Sequence, residues 1–167
     1  MTLAAVAAPM PAPEFQTPSL QHFGCEADLA WRALQGLQST YPGFRSWYWS
    51  KVVPGVERGS RRIFLSTDQS GLKGVVIAKR GAERKLCTVW VAPHARRHGV
   101  GRLLVADAMD WLETERPLIT VSEHRAPLFL GLFQYFGFEL QEELLGYYGG
   151  SSKELVFNGR LRPNPSS

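Results

Sequence analysis

The chain has 167 residues, 44% hydrophobic and 20% charged, a composition that suits a single globular domain with an ordinary core. No apolar run approaches the ~20 residues of a membrane-spanning helix, so no membrane partner is expected. The net charge of +4 suits an acidic ligand or RNA without demanding either. Cys25 and Cys87 have no Cys-x-x-Cys partner, and the four histidines show no ligand spacing. Both cysteines therefore read as reduced thiols of a cytoplasmic protein, and no metal is expected.

Residues 1–19 hold Pro9, Pro11, Pro13 and Pro18 and read as a flexible arm; residues 161–167 read as a flexible tail. Between them, residues 20–160 form one continuous pattern. Leu29, Ala33, Leu34 and Leu37 recur at helical spacing and predict an amphipathic helix. The aromatic-rich stretch YPGFRSWYWSKVVPG follows, as a short helix or structured loop. Runs 62–67, 74–80 and 85–92 read as three strands joined by the short polar breaks DQSG and RGAE, an antiparallel meander.

The period then changes. From Gly99 to Glu113, apolar residues recur every 3.6 positions, which predicts a second amphipathic helix. LITVS (118–122) reads as a buried strand, APLFLGLFQYF as a third helix ended by Gly137, and 138–148 with 151–159 as a hairpin. The order is helix, three strands, helix, strand, helix, hairpin. It predicts an α/β (α+β) domain built on one mixed sheet.

Chemistry concentrates at VAPHARRHGVGRLL. Arg96, Arg97, His98, Gly99, Val100, Gly101 and Arg102 lie between a strand and a helix. The unladdered N–H groups of a helix's first turn and its positive dipole end favour an anion, and the glycines let phosphate oxygens approach the backbone. The arginines add charge and bidentate hydrogen bonding. A Walker A loop is excluded, because no Gly-x4-Gly-Lys-Ser/Thr run exists. A dinucleotide fingerprint is excluded because Leu104 stands where a third small residue belongs, and no acidic strand end follows.

The stretch VWVAPHARRHGVGRLLVADAMDWL resembles the Arg/Gln-x-x-Gly-x-Gly/Ala signature of the GNAT superfamily of N-acetyltransferases, with Arg96, Gly99 and Gly101 on the matched positions. The preceding Val-x-Pro, the following helix, the segment FQYFGFEL and the element order from about residue 20 to 159 are similar too. The resemblance implies a mostly antiparallel mixed sheet flanked by helices, with its central strands splayed. It implies acetyl-CoA as acyl donor, its pyrophosphate on the amides of residues 97–102 and its pantetheine arm along Val89, Trp90 and Val91. The acceptor is then a small-molecule or peptide amine that attacks the thioester directly.

Two family features are missing. The tyrosine that many relatives place four residues before the Gly-Phe pair is Phe133 here, and Tyr135 points elsewhere on a helix. The strand 85–92 also lacks the usual carboxylate. Glu123 and His124, at the end of the LITVS strand, are the remaining candidates for the catalytic base. Tyr41, Trp47, Trp49, Tyr147 and Tyr148 are candidates to line an acceptor pocket. Two other functions stay open. One is a GNAT-type toxin acetylating aminoacyl-tRNA, with Arg61, Arg62 and the basic residues from Lys79 to Lys85 tracking phosphates. The other is a non-catalytic CoA-binding or interaction module. A homodimer is also admitted.

Overall fold

The structure is a computed structural model that describes residues 20–162, with side chains from residue 24 onward; the expected arm and residues 163–167 of the tail lie outside the described residues. The first helix, α1, spans Leu20–Leu34 and buries Ala27, Ala30 and Leu34 along one stripe, continued by Leu37 in a 3₁₀ turn. The aromatic stretch is helical throughout: α2 (Phe44–Trp47), a π turn (Tyr48–Val52) and α3 (Val53–Glu57). Pro54 has no N–H to continue an α-helical ladder, which accounts for the irregular turn in front of it. Tyr48 docks this segment onto α1, its fully buried ring carrying a hydroxyl that donates to the Ala27 carbonyl at 2.6 Å.

Six strands follow the predicted order: β1 (Arg61–Asp68), β2 (Gly71–Lys79), β3 (Lys85–Val91), β4 (Leu118–Ser122), β5 (Leu140–Leu145) and β6 (Lys153–Phe157). They form one sheet in the order β1-β2-β3-β4-β6-β5, antiparallel except between β3 and β4. Helix α4 (Val100–Leu112) joins β3 to β4. The third predicted helix is shorter than its apolar run. Ala126–Leu128 form a 3₁₀ turn opened by Pro127, and α5 covers only Leu130–Phe136 before Gly137 ends it at φ 66°.

Each face of the sheet has its own core. On one side Val76, Ala78, Leu86, Val89, Ile119, Val121 and Phe157 pack against Leu104, Val105, Ala108 and Leu112 of α4 and Phe133 of α5. On the other, Ile63, Val75 and Ile77 pack against Ala30, Leu34, Phe44 and Tyr48. Gly74 lets α4 lie this close to β2, since a Cβ there would stand 2.7 Å from Leu104 Cδ1 and 2.9 Å from Val100 Cγ1.

The predicted splay is present and has a local cause. Ala78 pairs with Leu86 but Ile77 pairs with Thr88, so Cys87 is the extra residue of a β-bulge. A bulge bends its strand and resets the alternation of side chains. Leu86 and Val89 therefore share one face, and Cys87 and Trp90 the other. Pairing with β4 stops at the same point: only Lys85↔Leu118 and Leu86↔Ile119 are in register, and beyond them β3 and β4 diverge.

Candidate active site

At the open end of the splay, β3 leads into α4 through a loop with two left-handed residues, Arg97 (φ 65°) and Gly99 (φ 81°). Leu103 is the first residue of α4 whose N–H reaches a carbonyl within the turn, Gly99 O at 3.1 Å. The N–H groups of Gly99, Val100, Gly101 and Arg102 precede that ladder and point out of the helix start. The space beside Gly99 is open, with nothing within 4 Å of the position a Cβ would take. Left-handed backbone, unladdered amides and the positive end of a 13-residue helix together fit a diphosphate.

The side chains around this cradle divide the work. Arg96 Nε donates to the Val91 carbonyl at 3.2 Å, and the His98 Nδ1–H donates to the Arg96 carbonyl at 2.7 Å. Both contacts hold the loop's shape. The Arg102 guanidinium lies 4.3 Å from the centre of the Tyr135 ring, which is otherwise exposed on α5. Phe133 is buried among Phe129, Phe138 and Phe157, with ring centres 4.3–5.8 Å away.

Across the sheet, between β3, β4, β6 and the α1–α2 connection, lies a cavity of about 510 Å³. Tyr41, Phe44, Trp47, Phe129, Tyr147 and Tyr148 supply its aromatic lining. Of the predicted acceptor-lining aromatics, Trp49 alone stays outside, packed against Trp31 and Tyr48. The cavity also exposes Glu154 of β6, a carboxylate whose residue is only 4% accessible. Glu154 stands opposite Ser122 in register, and both Glu154 Oε1 and Ser122 Oγ are buried without a hydrogen-bond partner.

Burial pushes the Glu154 carboxyl up to about 7, although the Thr120 hydroxyl, the Lys85 ammonium and the Tyr41 hydroxyl all favour its charged form. Tyr41 Oη accepts the Ser122 N–H at 3.3 Å, which leaves the phenol's own proton free to be donated. Burial, with Glu154 nearby, holds that phenol above its ordinary value, so it stays protonated at neutral pH. A buried acid poised near 7 beside a protonated phenol can take one proton and give another.

Glu123 and His124 sit elsewhere. Both are exposed in the turn after β4, where Glu123 Oε1 accepts the Lys153 N–H at 3.4 Å and His124 Nε2 lies 3.1 Å from Ser152 Oγ. Neither lines the cavity. Glu154 escaped the sequence reading because it looks like one polar position in an alternating strand. Its signal was that Leu155 and Phe157 mark one apolar face while Val156, two residues along on Glu154's own face, marks another. A carboxylate in a strand buried on both sides has no solvent to face.

No metal-holding group of three or more His, Cys, Asp or Glu occurs among the described residues, and none of their helices is long and apolar enough to cross a membrane. Among solved structures, an acetyltransferase of the GNAT family from Desulfovibrio desulfuricans is similar over 80% of this chain and 90% of its own, at 15% identity and a TM-score of 0.60. Nourseothricin acetyltransferase is 23% identical over 60% of this chain, with a TM-score of 0.55. A protein described as a streptothricin acetyltransferase from Bacillus anthracis, in complex with acetyl coenzyme A, is 14% identical over 59% of it, with a TM-score of 0.52. The chain spans 65% and 61% of the lengths of these last two. These likenesses carry the fold. No curated protein sequence matches the chain. The model of the acetyltransferase (GNAT) family matches residues 28–138, most of the described domain, and the chain belongs to that family.

Proposed function

We propose that this protein is an acetyl-CoA-dependent N-acetyltransferase that acts on a primary amine bound in the cavity between the sheet and the α1–α2 connection. The observation that carries this reading is Glu154: a buried carboxylate facing the cavity with its Oε1 unpartnered, at the level of β4 where β3 has already splayed away. The donor, when bound, supplies an activated acyl group on a thioester. The residues do the rest.

The unladdered amides of Gly99–Arg102 bind the diphosphate, and the unpaired edge of β3 through Val89, Trp90 and Val91 guides the pantetheine arm into the gap beside β4. Glu154 accepts a proton from the acceptor's ammonium, which frees the lone pair for attack. Tyr41 returns a proton to the departing sulfur. That assignment resolves the missing tyrosine, since the phenol comes from the loop after α1 and not from position 133. The likeness to acetyltransferases of antibiotics supports a small-molecule amine as acceptor, and the modest cavity volume agrees with one.

Initial rates with acetyl-CoA and a panel of primary amines test the assignment through three variants. Glu154→Gln is expected to lower kcat/KM by about 100-fold or more, the range for losing a general base, and to show the deepest loss of the three. A deeper loss in Glu123→Gln or His124→Ala would return the base to the rim of the site and overturn the role of Glu154.

A further inference from the structure

The cavity carries a charge pattern that acetyl transfer does not use. Arg61 begins β1, Lys79 ends β2 and Lys85 begins β3, and the register sets Arg61 opposite Lys79 and Lys79 opposite Lys85. Residues directly opposite in an antiparallel pair share a face, so the three cations form one row. All three line the cavity. Like charges placed directly opposite destabilise a sheet, and two such pairs lie side by side here.

Little on the protein answers that row. Glu83 Oε2 lies 2.9 Å from Lys79 Nζ. The Arg61 guanidinium donates to Cys87 Sγ at 3.3 Å and rests over the Trp47 ring. Lys85 is 9% accessible; its Nζ donates to Tyr148 Oη at 3.2 Å, and no carboxylate of the described residues comes within 4.0 Å of it. Burial alone would lower the Lys85 ammonium, but Tyr148 and Cys87 outweigh it and hold the group above its ordinary value, so it stays charged. With Arg125 included, four cations line the cavity against two carboxylates, Glu83 and Glu154.

Building on the acetyl-transfer reading, we infer that the acceptor is amphoteric: its amine docks at Glu154 and an anionic group, carboxylate or phosphate, docks at the far end of the cavity on Arg61 and Lys85. The separation follows from the register. Lys85 pairs with Leu118 and Glu154 with Ser122, four residues apart along β4, and between the two charged groups stand Tyr148 Oη, 3.2 Å from Lys85 Nζ, and Thr120 Oγ1, 3.5 Å from Tyr148 Oη. The acceptor's two charges therefore stand several bonds apart. An acceptor of this kind is an ω-amino acid, a short peptide or an amino-alkyl phosphate. A polyamine sets a second cation against the basic row and is disfavoured.

Initial rates with acetyl-CoA test this on four acceptors of one chain length: 6-aminohexanoate, 6-aminohexyl phosphate, hexylamine and 1,6-diaminohexane. At least one of the two anionic amines is expected to exceed hexylamine in kcat/KM by about tenfold or more, with the diamine lowest, and whichever is preferred names the anion. Lys85→Met and Arg61→Gln should each collapse that preference through KM. Calorimetric binding of 6-aminohexanoate and 6-aminohexyl phosphate to the same three proteins reads the anion site without catalysis. Hexylamine or the diamine equal to or better than both anionic amines overturns the inference and leaves acetyl transfer standing. Anion-dependent binding without turnover of any amine keeps the basic row as an anion site but overturns the transfer reading and with it the acceptor; neither binding nor turnover overturns the anion site as well.

Discussion

Replacing Glu154 by glutamine separates the cost of burying this carboxylate from its proposed role as base. The carboxyl titrates at about 7 in the folded chain, against 4.5 for an unperturbed glutamate, chiefly because burial disfavours its charged form. The unfolded chain therefore releases this proton near pH 4.5 and the folded chain only near 7. Between those values rising pH removes stability, and above 7 the loss is complete. At about 1.4 kcal/mol per pH unit, the rise from 4.5 to about 7 corresponds to about 3.5 kcal/mol, which solvent screening at the open cavity lowers to a cost of about 2–3 kcal/mol at pH 8.

Glutamine carries no charge at any pH. Glu154→Gln should thus match the wild type near pH 4.5, gain on it through pH 5–7, and level off about 2–3 kcal/mol more stable at pH 8. Urea unfolding at pH 4.5, 6 and 8 measures the difference. The wild-type kcat/KM should rise with pH through an apparent pKa of about 7, as the carboxylate becomes able to accept a proton. A stability gain that does not change with pH would refute the burial argument, and so would a variant less stable than the wild type at pH 8.

Other substitutions probe the cradle, the packing and the missing tyrosine. Gly99→Asp meets no atom within 4 Å, yet it sets a carboxylate beside the unladdered amides at φ 81°; calorimetry should show acetyl-CoA affinity falling by about 100-fold or more while thermal unfolding stays cooperative. Retained affinity would remove the diphosphate from this loop. Gly74→Ala forces α4 away from β2 and should cost about 1–3 kcal/mol, read as a Tm lowered by several degrees; an unchanged Tm would mean that the helix shifts freely. Phe133→Tyr buries a hydroxyl among three phenylalanines and should cost about 1–3 kcal/mol without raising kcat. A raised kcat would place position 133 at the reacting sulfur.

Local signals in the sequence were enough for the element order. Helix α4 announces itself by an unbroken 3.6 period, and Gly99 and Gly101 mark where it starts. The three meander strands fall within a few residues of their expected limits. The aromatic stretch at 41–49 carries no clean period, because its helix bends through a π turn ahead of Pro54. The third helix came out short because Pro127 opens a separate 3₁₀ turn inside the same apolar run.

The grouping of polar residues in the cavity was not legible, for a different reason. Tyr41, Lys85, Ser122 and Glu154 meet only through sheet register and the path of the chain after α1. Sequence spacing says nothing of such distances. The basic residues from Arg61 to Lys85 show the same limit. In the sequence they read as an outward face for phosphates, but Arg61, Lys79 and Lys85 share a register row whose side chains line the cavity.

A crystal structure of the protein with bound acetyl-CoA tests the central claim most directly. Diphosphate oxygens are expected about 3 Å from the N–H groups of Gly99–Arg102, with the pantetheine arm between β3 and β4 and the acetyl group opening into the cavity toward Glu154. An acetyl group on the α4–α5 side of the sheet, or one directed at Glu123 and His124, would contradict it.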